Sequence, residues 1–185
     1  MIGEVTMLKR KIIRVILVLL ICICGGLFLV SQIKINKDSD RNIINCTLSS
    51  DLKNQVAEIS NNSDTPQDII KKCSNLACET LSCTAKNDIQ NGKANCIGYA
   101  QLTSTLINHA FQIRNLSYHA KPVVGKVYLF GIDLNNISQK ILPLKYRPFF
   151  KDHDFVEVDL GNKIVFIDTS LQDLTGLTFM QVQNK

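Results

Sequence analysis

The strongest constraint on this 185-residue chain is a long apolar run close to its amino terminus. Ile12–Val30 contains a single charged side chain, Arg14, and as a helix it would rise about 28 Å, enough to cross the hydrocarbon core of a bilayer. A tight basic cluster precedes the run: Lys9, Arg10 and Lys11. Because basic residues stay on the cytoplasmic side, we expect a cytoplasmic tail over 1–11 and a transmembrane anchor over 12–30.

The same run allows an alternative, a cleaved signal peptide with a processing site at Cys24-Gly25-Gly26. Apolar residues continue past this site through Leu27–Val30, which favours a retained anchor over a cleaved leader. With the anchor retained, the chain is a single-pass membrane protein. Its remaining residues are then predicted to lie in the periplasm or the extracellular space.

The formal net charge of +5 does not indicate nucleic-acid binding, because most of it flanks the apolar run. Residues 1–41 carry seven Lys or Arg and three Asp or Glu, whereas the remaining 144 residues carry 14 basic and 13 acidic side chains. A domain that binds nucleic acid needs a basic face that neutralises several phosphates. The exported part is close to neutral, and we predict no nucleic-acid partner for it.

The exported residues divide into a linker and one domain. Residues 31–50 are polar and rich in Lys, Asp and Asn, which predicts a linker, and 51–185 has the length of one ordinary domain. Thr65 and Pro66 begin a run with helical spacing, whereas segments rich in Val, Tyr and Leu follow Leu116 and predict strands. Asn135–Lys151 contains two prolines and is predicted to be an irregular excursion. This order predicts an α+β fold whose N-terminal helices pack on an antiparallel sheet.

A second helix is predicted to start at Cys96, with Asn95 as its cap. A cysteine in that position suits a nucleophile, because the positive end of the helix dipole favours the thiolate. The backbone amide of the same residue points outward and can donate a hydrogen bond to an oxyanion. Such a nucleophile also needs a histidine to accept its proton and a third group to orient that histidine.

A predicted hairpin supplies both of these groups. If Gly161-Asn162 forms a two-residue turn, Phe155 lies opposite Asp168, and strand alternation puts His153 on the same face as Phe155. Asp168 is then a diagonal neighbour of His153, within reach of its side chain. Two other acidic residues fit less well. Asp154 points to the other face of the strand, and Asp159 lies nearer the turn.

Three motifs therefore occur in a fixed order. A Cys opens a helix in a C-x-x-x-A/S setting (Cys96 to Ala100), a His opens a strand in an H-a-[WF]-x-E-v pattern (His153 to Val158), and an Asp ends the next strand in a [VI]-D-[PT]-[TS] pattern (Ile167 to Ser170). In this, residues 91–174 resemble the transglutaminase-like superfamily of papain-type cysteine enzymes. The chain departs from that pattern with Phe155 where many members have Trp and Thr169 where they have Pro.

The resemblance implies acyl transfer from an amide or ester through a Cys thioester. Cys96 would attack, His153 would act first as base and then as acid, and Asp168 would hold the imidazole. Candidate oxyanion donors are the Cys96 amide and the side chains of Gln90, Asn91 and Asn95; the chain has no Trp for this role. The implied partner is a peptide or amide substrate, such as a protein or a cell-wall peptide, with no cofactor and no metal.

Two alternatives to catalysis remain open. The chain is either an inactive binding or assembly module of the cell envelope that keeps the fold, or a structural envelope protein whose triad is incidental. Within catalysis, the acceptor is water or an amine. We rank hydrolysis first, because many bacterial members of the superfamily are hydrolases.

The cysteines outside the apolar run and apart from Cys96 number four, and this even number in an exported domain predicts two disulfide bonds. The candidates are Cys46, Cys73, Cys78 and Cys83. Four cysteines allow three connectivities. On a straight helix, positions five residues apart are too distant for a bridge, so either the helix breaks between Cys78 and Cys83 or each of these residues pairs elsewhere. Of these alternatives we favour a break, with the bridges Cys78–Cys83 and Cys46–Cys73.

Overall fold

The computed structural model describes residues 32–42, 46–141 and 152–185, which form an α+β domain built on a curled antiparallel sheet. The described helices are α1 (Ser50–Asn61), α2 (Pro66–Thr80), α3 (Cys96–Ile113), α4 (Leu134–Ile141) and α5 (Thr169–Thr175). The described strands are β1 (Ile33–Asp40), β2 (Ser82–Cys83), β3 (Lys93–Ala94), β4 (His119–Leu129), β5 (Ile132–Asp133), β6 (His153–Asp159), β7 (Lys163–Asp168) and β8 (Phe179–Asn184). The fold class predicted from the order of patterns is confirmed.

The main sheet has the order β1-β4-β6-β7-β8, and every neighbouring pair is antiparallel. The short strand β5 pairs with the end of β4, and β2 and β3 form a separate two-stranded parallel ribbon. The sheet curls so far that its two edges meet, since the Ile35 amide on β1 donates to the Gln181 side chain on β8 at 3.0 Å. This curl gives the sheet an enclosed face and a face that carries helices.

The larger core lies between the sheet and the helices. It is centred on α3, whose long apolar side chains are almost wholly buried against α1, α2 and strands β4 and β6. A smaller core fills the enclosed face of the curled sheet, where the rings of Phe155 and Phe166 meet edge to face at 5.6 Å. Strand alternation explains the division, because neighbouring residues of β6 point to opposite faces.

Local capping chemistry starts the helices where the sequence predicts. The Thr65 hydroxyl accepts from the Asp68 amide at 3.2 Å, with Pro66 in the first turn of α2. The Asn95 side chain accepts from the Ile97 amide at 3.1 Å and so caps α3 at the predicted position. Each side chain satisfies an amide that has no partner within its own helix.

The predicted register of the β6–β7 hairpin is also confirmed. Glu157 lies opposite Phe166, and Leu160 and Lys163 close the turn with a backbone hydrogen bond of 3.0 Å. Gly161 supplies the left-handed conformation that this turn needs, with φ of 84°. The hairpin therefore sets the relative positions of His153 and Asp168, the residues at its open end.

The predicted linker over 31–50 is wrong over eight of its residues, which form a strand of the main sheet. Ile33–Asp40 is strand β1, which pairs with β4 from Ile33↔Leu129 to Asp40↔Val123, with an irregularity between Lys37 and Ser39. The segment looks polar because Ile35, which is 2% exposed, is its one residue that is buried in the enclosed core. The domain therefore begins before residue 51.

Further along the chain, the structure contains helices and a strand that the sequence analysis did not predict. The predicted irregular excursion over 135–151 starts within helix α4, and residues 142–151 lie outside the described residues. Helix α5 and strand β8 have no counterpart in the prediction.

The predicted cytoplasmic tail (1–11) and transmembrane anchor (12–30) lie outside the described residues. Among the helices that the structure does describe, none is both long enough and apolar enough to cross a membrane.

Gly125 marks the tightest approach within the sheet, where it pairs with Lys37 on one side and with His153 on the other. A Cβ at this position would lie 2.1 Å from the Asn36 carbonyl oxygen and 2.9 Å from the Phe155 ring. We expect Gly125→Ala to lower the free energy of unfolding by about 3 kcal/mol, because backbone has to move to relieve the overlap. Urea unfolding of the full-length chain in mild detergent measures this loss.

Gly131→Ala is the matched control, since nothing lies within 4 Å of a Cβ there and only the φ of 78° opposes the substitution. Its expected loss is about 1 kcal/mol. Equal losses for the two variants would contradict the packing argument at Gly125.

Candidate active site

Cys96 is the first residue of α3, at the amino end of an 18-residue helix. Two hydrogen bonds of the preceding residue, Asn95, fix the position of Cys96. The Asn95 side chain binds the Ile97 amide, and the Asn95 amide donates to the Asn87 side chain at 2.8 Å. The thiol is half-buried and lies at the amino end of the helix, where the helix dipole is positive.

His153 and Asp168 meet at the open end of the β6–β7 hairpin, as the predicted register requires. The His153 Nε2 and Asp168 Oδ2 atoms are 2.5 Å apart, and neither residue is exposed to solvent. The pairing of the two strands thus brings into contact a histidine and a carboxylate that are 15 residues apart in the chain. The predicted contact between the base and its orienting group is present.

Asp168 has a second task, which fixes its carboxylate. While Oδ2 faces His153, Oδ1 accepts from the Ser170 hydroxyl at 2.9 Å and from the Leu171 amide at 3.0 Å, and so caps helix α5. Both oxygens are therefore held by groups of known position. A carboxylate held in this way keeps the imidazole in one orientation.

A cluster of buried polar side chains forms hydrogen bonds next to Asp168. The Thr169 hydroxyl, next to Asp168, lies 2.8 Å from the Ser74 hydroxyl of α2 and accepts from the Thr103 hydroxyl of α3 at 2.9 Å. Ser74 also donates to the Gln172 side chain at 2.8 Å. These contacts tie α2, α3 and α5 together at the end of β7, where the site needs rigidity.

The electrostatics of His153 favour its charged form. Burial alone would lower the pKa of this imidazole, but the adjacent Asp168 carboxylate, through its charge and its hydrogen bond, raises the pKa well above the ordinary 6.5. Interaction with the nearby Cys96 side chain adds to the rise. Because Nε2 is engaged by Asp168, Nδ1 is the ring nitrogen left for another group. The structure thus brings together all three residues of the predicted triad.

Sequence reasoning missed two charged residues beside the thiol. Cys96 Sγ lies 3.9 Å from Oδ2 of Asp154, which is 1% exposed. Arg41, just past the end of β1, binds this carboxylate with two nitrogens, Nε to Oδ1 at 2.6 Å and Nη2 to Oδ2 at 2.8 Å. Alternation did predict that Asp154 points away from the His153 face. A carboxylate on a strand face that is otherwise apolar is a signal of a buried partner, but nothing local identifies that partner as Arg41.

The three side-chain candidates for the oxyanion hole differ in their surroundings. Gln90 and Asn91 are exposed on the 3₁₀ turn Ile89–Asn91. The Asn91 side-chain Nδ2 group donates to the Asp88 carboxylate at 2.9 Å. Asn95 is half-buried beside Cys96, and its Oδ1 already accepts the hydrogen bond of the helix cap. As the first residue of the helix, Cys96 itself carries a backbone N–H that the helix does not pair.

The structure forms neither of the predicted disulfide bonds, since all five cysteines among the described residues are free thiols. Helix α2 does end at Thr80, between Cys78 and Cys83, as the prediction requires. The thiols are nonetheless engaged elsewhere: Cys73 is buried in the main core, and Cys78 donates to the Thr169 carbonyl at 3.5 Å. Burial raises the pKa of Cys73 to about 12.

Among the described residues, no three or more His, Cys, Asp or Glu side chains are grouped so as to hold a metal ion. Comparison with known proteins adds no family assignment. No family model matches the chain, and neither the curated proteins nor the solved structures include a match.

The raised pKa of His153 makes stability depend on pH above neutrality. Because the folded state holds this proton more tightly than the unfolded chain, the stabilisation is full below pH 6.5 and is lost as pH rises toward the folded pKa. We expect Asp168→Asn, which keeps a capping side chain, to reduce the fall in unfolding free energy between pH 6 and pH 9. The fall due to His153 is at most about 1.4 kcal/mol per pH unit, and urea unfolding at both pH values measures it.

Asp159→Asn serves as the control, because its exposed ion pair with Lys185 lowers the pKa of a carboxyl that is ionised throughout this range. This variant should retain the wild-type pH dependence. An unchanged pH dependence in Asp168→Asn would mean that His153 is not charged in the folded protein.

Proposed function

We propose that this protein is a membrane-anchored, extracytoplasmic cysteine hydrolase or acyltransferase with a transglutaminase-like fold, acting on amide bonds. The observation that carries the proposal is the juxtaposition of Cys96, His153 and Asp168. They come from the start of a helix, the start of one strand and the end of the next, and they meet at one corner of the domain.

In the proposed reaction the neutral form of the His153 imidazole takes the proton of the Cys96 thiol, which gives a thiolate–imidazolium pair that Asp168 stabilises. The thiolate sulfur then attacks the carbonyl carbon of the substrate amide. A carbon–sulfur bond forms, and the oxyanion of the tetrahedral intermediate is stabilised by the Cys96 backbone N–H. When the carbon–nitrogen bond breaks, His153 gives its proton to the leaving amine. Water then attacks the thioester, which releases the carboxylic acid and restores the thiol.

Asp168 keeps the imidazole ready for both proton transfers. Its contact with Nε2 presents Nδ1 to the thiol, and its charge favours the imidazolium that forms when the thiol loses its proton. Because the carboxylate also caps α5, it has little freedom to turn away. For the second oxyanion donor we favour the Nδ2 group of Asn95, since that residue adjoins the nucleophile and its Oδ1 already fixes the side chain.

The sequence supports the remaining parts of the proposal. The basic cluster before the apolar run favours export of the domain, and the three motifs in order favour the transglutaminase-like fold. The substrate class follows from the chemistry, because a thioester intermediate suits peptide-like amides of proteins or of the cell wall. Hydrolysis is preferred over transfer to an amine.

Two observations favour a second candidate, a non-catalytic binding or assembly module of the cell envelope. A carboxylate 3.9 Å from the thiol sulfur stabilises the protonated thiol and opposes the thiolate. His153 and Asp168 are also fully buried, whereas a base that passes protons to a substrate must be reached by it. The two candidates differ in the reactivity of Cys96.

Alkylation with iodoacetamide at pH 6, followed by peptide mass spectrometry of the full-length chain, separates them. As an enzyme nucleophile, Cys96 should react at least about ten times faster than Cys83, the exposed thiol among the described residues. His153→Gln should remove this advantage, and amine release from a library of peptide amides should be lost in Cys96→Ser. Cys96 that reacts no faster than Cys83 would favour the non-catalytic module.

A further inference from the structure

The Arg41–Asp154 pair is placed to act on the nucleophile. Asp154 is fully buried and its Oδ2 lies 3.9 Å from Cys96 Sγ, while Arg41 grips both carboxylate oxygens at 2.6 and 2.8 Å. The Arg41 side chain is 33% exposed, so it closes the carboxylate off from solvent without being buried itself. The nearest charge to the thiol on this side is therefore a carboxylate that is already neutralised.

The charges explain why that neutralisation matters. When the thiol has given its proton to His153, the corner holds three anions, namely the thiolate and the carboxylates of Asp154 and Asp168. The imidazolium supplies one positive charge and Arg41 supplies the other. Without Arg41, a buried carboxylate would face the thiolate with no cation of its own, and like charges at this separation strongly disfavour ionisation.

We propose that Arg41 is a positioning residue for Cys96, which holds and neutralises Asp154 so that the thiol can release its proton to His153. The inference rests on the proposed function, since it assigns a role within that reaction. Arg41 acts through Asp154 and does not itself touch the reacting atoms.

Stability alone does not account for the pair. The neighbouring positions of β6 on the same face are Val156 and Val158, both fully buried in the main core. An apolar residue at position 154 would suit this face, and a buried ion pair is often no more stable than the apolar side chains that replace it. Packing therefore does not require an acid beside the thiol, and Arg41 is the cation that offsets the charge of the acid that is there.

The backbone delivers Arg41 to this place from the amino-terminal strand. Strand β1 ends at Asp40, and the Arg41 amide donates to the Pro122 carbonyl of β4 at 3.2 Å, which extends the pairing by one residue. The register irregularity between Lys37 and Ser39 lies just before this point. Residues that the sequence assigned to a linker therefore complete the surroundings of the nucleophile.

The other titratable groups around Cys96 set the background for a test by pH. His153 and Asp154 come from β6, Arg41 from the end of β1, and Cys83 from β2, close enough for its charge to interact with Cys96. Two further carboxylates act on Cys96 only through another residue. The charge of Asp152 interacts with Arg41, and Asp168 contacts His153. Among these groups, the proposal changes only Arg41 and Asp154.

Two single variants have opposite expected effects on the alkylation of Cys96, followed from pH 5 to pH 9.5 in the full-length chain by peptide mass spectrometry. Arg41→Gln should slow the reaction at pH 6 by about tenfold and leave the rate at pH 9 within about twofold of wild type. Asp154→Asn, which removes the carboxylate and keeps its shape, should react at pH 6 at least as fast as wild type. The double variant Arg41→Gln/Asp154→Asn should recover most of the rate that Arg41→Gln loses.

Lys185→Gln is the matched control, because it also removes a cation that pairs with a carboxylate of β6, Asp159, but at the far end of that strand. Its profile should equal that of wild type. If both single variants slow the reaction at pH 6, or if Arg41→Gln leaves the profile unchanged, the pair is structural and the inference fails. If wild-type Cys96 reacts no faster than Cys83, the proposed function itself fails.

Discussion

The burial of helix α3 is the constraint on which the rest of the structure depends. Most of its residues are buried, including the polar Gln101, Thr103 and Ser104, so the helix is covered both by other helices and by the sheet. Helices α1 and α2 cover one side and strands β4 and β6 the other, which leaves the first residue of α3 at the edge of the packed layers. The thiol of Cys96 is consequently fixed by the core, although it is not part of it.

The buried carboxylates at this edge have a hydrogen-bond partner for each of their two oxygens. Asp168 divides its two oxygens between His153 and the cap of α5, and Asp154 gives both of its oxygens to Arg41. Burying an unpaired carboxylate is costly, so each of these contacts fixes the element that provides the partner. The same contacts that hold the elements together therefore determine the charge around Cys96.

In the proposed reaction, the two carboxylates affect Cys96 in opposite directions. Asp168 would favour the imidazolium and so the transfer of the thiol proton, whereas Asp154 alone would oppose the thiolate. Arg41 would shift this balance, because its guanidinium binds Asp154 with two hydrogen bonds. On this proposal, the reactivity of Cys96 is set jointly by the hairpin and by the end of the amino-terminal strand.

The sequence by itself determined what depends on neighbours along the chain. Capping residues gave the start of α3 at Cys96, and a two-residue turn gave the register that brings His153 to Asp168, because caps and tight hairpins are local. Only the tertiary structure decided that β1 joins the sheet and that Arg41 reaches Asp154, 113 residues away. Pairing of that kind depends on the packing of the whole domain, and a polar edge strand with one buried side chain gives no periodic signal of it.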